Sequence, residues 1–86
     1  MSEPDPAILR AAILEVVENQ LRDNTPPESK QTFERLVAEG HTIEEAKRLI
    51  GVVVAHEIFN VLKRGAVYNP VRYIAALKRL PKLPGE

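Results

Sequence analysis

The stretch Thr42-Ile43-Glu44-Glu45-Ala46-Lys47-Arg48-Leu49-Ile50-Gly51-Val52-Val53-Val54-Ala55-His56-Glu57-Ile58-Phe59-Asn60-Val61-Leu62-Lys63 decides the fold. It opens with Thr42 and Glu45 at capping-box spacing, where each side chain satisfies the other residue's orphan amide. It closes on Lys63, Arg64 and Gly65: two bases for the negative end of a helix dipole, then a residue suited to a left-handed cap. The spacing predicts one uninterrupted helix over 43–64. At about 100° per residue, Ile43, Ile50, Val54, Ile58 and Val61 form one stripe, and Leu49, Val52 and Phe59 lie nearly opposite. A helix that is apolar on two sides needs cover on two sides. Either the other helices wrap it, or Leu49, Val52 and Phe59 form an interface with a second copy.

Outward from this helix, prolines mark the other boundaries. Asp5-Pro6, Thr25-Pro26 and Asn69-Pro70 each put a capping side chain before a residue whose fixed φ suits the first helical position. Thr25 and Glu28 repeat the capping-box spacing, and Gly40 suits a C-terminal cap. Helices are expected over 6–22, 26–39, 43–64 and 70–80, with 81–86 as a tail. No segment has strand-like alternation. The fold class is therefore all-α: one compact four-helix domain, residues 1–86, around a long central third helix.

Eighty-six residues bury about 60–65% of their unfolded surface, enough for one modest core. There is no cysteine, so neither a disulfide framework nor a thiolate metal site supplements it. The start, Met1-Ser2-Glu3-Pro4-Asp5, is polar and acidic, the opposite of a signal peptide. The longest apolar run is the seven residues Leu49–Ala55, against the about 20 that a bilayer requires. These features predict a soluble cytoplasmic protein with no membrane partner. The net charge of zero conceals an asymmetry. Residues 1–45 hold ten acids and four bases, and residues 46–86 hold eight bases and two acids, so the halves carry −6 and +6. Acids in first turns and bases in last turns account for much of this. An acidic face meeting a basic one, within the fold or between copies, is the sharper reading.

His56-Glu57 begins like the H-E-x-x-H zinc signature, in which two histidines one turn apart hold the metal. The second position here is Asn60, and the other histidine, His41, lies about four turns away, so no metal site is expected. Glu57 falls near the Ile50–Val54–Val61 stripe, where a carboxylate must be paired. Arg72 and Tyr73, brought back by the short 65–69 turn, or Tyr68 within it, are its expected partners. His56, Glu57, Arg72 and Tyr73 thus form a candidate polar cluster, predicted to tie the third helix to the fourth. An enzymatic role for it would need a cavity beside an unpaired Glu57. No catalytic constellation is complete, and no cofactor is implied.

The run Thr42–Val52 resembles the first helix of a helix-turn-helix, but Val52-Val53-Val54-Ala55 supplies no turn and the next surface is not basic. Leu36–Ala46 is similar to the first turn of ubiquitin-associated three-helix modules, which the long third helix does not fit. Pro26-Pro27-Glu28, Thr32-Phe33-Glu34-Arg35-Leu36, Glu39-Gly40-His41, Glu57-Ile58-Phe59-Asn60-Val61-Leu62-Lys63, Arg72-Tyr73 and Leu80-Pro81 together resemble a family of small bacterial all-helical proteins of unknown function. The resemblance spans residues 14–84. It implies a small cytoplasmic helical protein and carries no activity or cofactor. The expected function is a non-enzymatic interaction or regulatory module that self-associates as a homodimer or binds a protein partner. The alternative is nucleic-acid association through the basic second half, where Arg72, Lys78, Arg79 and Lys82 would meet phosphates.

Overall fold

The computed structural model describes residues 5–65 and 67–85. They form four helices and no strand: α1 (Pro6–Asp23), α2 (Pro27–Ala38), α3 (Ile43–Arg64) and α4 (Pro70–Arg79). Asp5 caps α1 by accepting from the Ala7 amide at 2.9 Å, and Asn69 caps α4 by accepting from Val71 and Arg72 at 3.0 and 3.2 Å. The Thr42–Glu45 box is complete: Thr42 Oγ1 accepts from the Glu45 amide at 3.0 Å, and Glu45 Oε1 accepts from the Thr42 amide at 3.3 Å. The expected box at Thr25 and Glu28 does not form. α1 ends on Asn24 in the left-handed region, φ 53°, and the Thr25 amide bonds back to the Gln20 carbonyl at 3.1 Å. Thr25 therefore closes α1, its hydroxyl donating to the Asp23 carbonyl at 3.0 Å, and α2 begins one residue later than expected behind Pro26. α3 is uninterrupted, as its sequence requires, and stops at Gly65, whose φ of 62° glycine adopts without steric cost.

Val17, Leu36, Ala46, Ile50, Val53, Val54, Tyr73, Leu77 and Leu80 form the core, one cluster drawing on all four helices and the turn after α4. Leu83 packs against it, so the expected tail folds back as far as that residue. α3 supplies four of the nine, which justifies calling it central. Gly51 lies beneath α1, where a Cβ would meet Ile13 Cγ2 at 3.4 Å and Val17 Cγ2 at 3.9 Å, both ordinary contact distances. Arg35 on α2 donates to the Leu77 carbonyl at 3.2 Å and to both Glu39 oxygens at 3.3 Å. Its cation thus satisfies a carbonyl in the last turn of α4, the negative end of that dipole.

Burial corrects the two-stripe picture of α3. Ile50 and Val54 are buried as expected, whereas Ile43 and Ile58 on the same stripe are exposed. Azimuth fixes which way a side chain points, and it is silent on where the neighbouring helix ends. Cover on α3 runs out towards both termini, more so past Glu57.

Candidate interaction face and buried ion pair

Glu57 is 6% exposed and sits where its azimuth placed it, against the core. Arg72, in the first turn of α4, is its partner. Arg72 Nε lies 3.0 Å from both carboxylate oxygens, and Nη2 makes a further bond to Oε1. Two nitrogens engaging one carboxylate give the bidentate geometry that makes such pairs directional. Bonding to Glu57 raises the Arg72 pKa, with the opposite charge adding to that bond and burial opposing it. The pair fastens α4 to α3.

Tyr73, the other expected partner of Glu57, goes elsewhere. Its hydroxyl donates to Gln20 Oε1 at 2.8 Å, and the Ser29 hydroxyl donates to the same oxygen at 2.7 Å. Burial pushes the Tyr73 phenol up, with the Gln20 bond pulling back. Tyr68 packs its ring 6.1 Å from that of Tyr73, and its phenol is raised by burial first and by the Glu57 charge second. His56 is exposed and does not line the groove over Glu57. The four residues of the candidate cluster therefore divide into a Glu57–Arg72 pair, a Tyr73–Gln20–Ser29 junction and a solvent-facing histidine. The junction left no trace in the sequence, since Gln20 and Ser29 are ordinary polar residues in polar helices.

A groove of about 320 Å³ runs over Glu57, walled by Val16, Val54, Ile58, Leu62 and the two tyrosines. Its one carboxylate is already engaged by Arg72 through both oxygens. A larger groove of about 710 Å³ lies where α1 meets the first half of α3, with Leu9, Ile13, Leu14, Val52 and Ala55 on its walls and Arg10, Glu18, Lys47 and Arg48 at its rim. Glu18 and Lys47 pair there at 2.5 Å. Among the described residues, no three of His, Cys, Asp and Glu come together to hold a metal, and no helix is long and apolar enough to cross a membrane.

Of the expected interface residues, Leu49 is half-buried against the core, Val52 is 38% exposed and Phe59 is 69% exposed. Leu62, not singled out in the sequence, is 78% exposed beside them. On the basic half, Lys78, Arg79 and Lys82 are exposed, while Arg72 is committed to Glu57. No family model, curated protein or solved structure matches the chain.

Proposed function

We propose that this protein is a small non-enzymatic interaction module that associates with a second copy of itself through the open side of α3. One observation carries the reading: Phe59 and Leu62, at 69% and 78% exposed, hold large apolar side chains in water beside Val52 and Ile58. Contiguous apolar surface of this kind on a small domain marks an interaction site. The engaged state of Glu57 supports a structural role for the polar residues beneath. Multi-angle light scattering over a concentration series tests the proposal. The expected result is a monomer–dimer transition that Phe59→Asp abolishes while leaving the far-ultraviolet circular dichroism unchanged. A strictly monomeric protein at millimolar concentration overturns it.

A second reading keeps nucleic acid as the partner, supported by the exposure of Lys78, Arg79 and Lys82 at one end of α4. Such binding would weaken steeply with salt, because it releases condensed counterions. A gel-shift titration against duplex DNA and single-stranded RNA checks it, and no shift at low salt removes it.

A further inference from the structure

Glu45, Leu49, Val52, His56, Phe59 and Lys63 follow one another along α3 at alternating intervals of four and three residues. That alternation is the 3.5-residue repeat of a coiled-coil seam. At about 100° per residue the six positions keep within about 80° of one another, so they form one stripe. None is buried in the protomer: Val52, His56, Phe59 and Lys63 are exposed, and Glu45 and Leu49 are half-buried. The stripe begins with an acid and ends with a base, with apolar residues and His56 between. Read from either end it pairs with itself: acid on base, leucine on phenylalanine, valine on histidine.

We infer, resting on the self-association proposed above, that α3 pairs antiparallel with α3 of a second copy in one register, set by Glu45 against the partner's Lys63. Leu49 then meets the partner's Phe59, and Val52 meets the partner's His56. A two-fold axis repeats every contact, as an isologous interface demands. In an antiparallel pair each of these contacts joins one position of the repeat to the other, so the three fall in successive layers. A parallel pair would instead stack Glu45 on Glu45, Lys63 on Lys63 and the helix dipoles side by side. Glu45 is held in place by its bond from the Thr42 amide, and His41 Nδ1 lies 3.9 Å from its second oxygen. His56 is the polar member of an otherwise apolar centre, and such a residue fixes register while weakening the pair. From Glu45 to Lys63 the seam is five turns, about 27 Å. That is a small contact, at the weak and reversible end of specific interfaces.

The register makes a prediction that folding alone cannot imitate. Glu45→Lys and Lys63→Glu should each weaken the homodimer about tenfold, because each sets like charges together twice across the two-fold axis. Mixed one to one, the two variants should form a heterodimer at least as stable as the original, since both of its end pairs are again opposite in charge. His56→Leu should tighten the dimer severalfold. The absence of native cysteine permits a second readout that does not depend on the Glu45 cap surviving reversal. Glu45→Cys and Lys63→Cys, each inert alone, should cross-link to one another when mixed under mild oxidation, whereas a parallel pair would cross-link each variant to itself. A wild-type dimer whose reversed variants fail to combine, and whose cysteines fail to cross-link between 45 and 63, overturns the register and leaves self-association standing. A wild-type monomer at every concentration overturns both.

Discussion

The two halves of α3 are built from the same kinds of side chain and live in different surroundings. From Ala46 to Val54, Ala46, Ile50, Gly51, Val53 and Val54 are buried, and α1 is drawn in against Gly51. From Ile58 to Arg64, Ile58, Phe59 and Leu62 are exposed. Apolar character is the same in both halves, and what differs is supply: α1, α2 and α4 together bury the first half, whereas past Glu57 the best-covered apolar residue, Val61, is half-buried. Composition alone would give the two halves the same energetic weight. The structure buries the first in the core and leaves most of the second open to solvent.

Substitutions can break or sharpen that contrast. Ile50→Ala in the first half removes a fully buried side chain and should cost about 3 kcal/mol, whereas Leu62→Ala should stay within about 0.5 kcal/mol; paired thermal melts at low protein concentration compare them. Arg72→Ala, at the border between the halves, strands the buried Glu57 carboxylate. Because solvent reaches the half-open Arg72 side, the loss should be smaller than for a sealed pair. Replacing Glu57 by Met in the same chain should recover most of it, which a double-mutant cycle measures. Tyr73→Phe leaves the Gln20 oxygen its Ser29 partner and should cost about 1 kcal/mol. Gly51→Ala should stabilise by up to about 1 kcal/mol, because its new carbon finds Ile13 at ordinary contact distance and the helix gains that much propensity. The smallest effect is expected at the N-terminal cap. Hydrogen bonds from Thr42 hold the Glu45 carboxyl below its usual range. Its folded-state pKa lies under its unfolded value, so its contribution is present above the unfolded value and fades as pH falls through the folded one. Melting temperatures of wild type and Glu45→Gln should converge on acidification below about pH 4.

Much of this arrangement is legible in the sequence, for identifiable reasons. The caps at Asp5, Thr42 and Asn69 and the stop at Gly65 are local, decided by residues within one turn of each other. Glu57–Arg72 follows from azimuth plus a short connection, both of which a linear reading supplies. The Thr25 cap misled because its spacing suits two structures, and the closing of α1 took the residue first. Tyr73 to Gln20 spans 53 residues without any periodicity, so only the packed chain reveals it. The exposure of Ile43, Ile58 and Leu62 is hidden for another reason: the reach of a neighbouring helix is a property of the assembled fold.

One oxygen, Gln20 Oε1, accepts hydroxyls from two different helices, Ser29 on α2 and Tyr73 on α4. α1 is thus joined at a single atom to the element that follows it and to the last helix in the chain. Opening either contact in isolation leaves the other hydroxyl in place, so local fraying is tolerated there. Full departure of α4, by contrast, uncovers the core through Leu77 and Leu80 at the same moment. Backbone amides in the middle of α1 and of α4 should therefore exchange with deuterated solvent through one shared opening event, while those at the far end of α3 exchange independently and sooner.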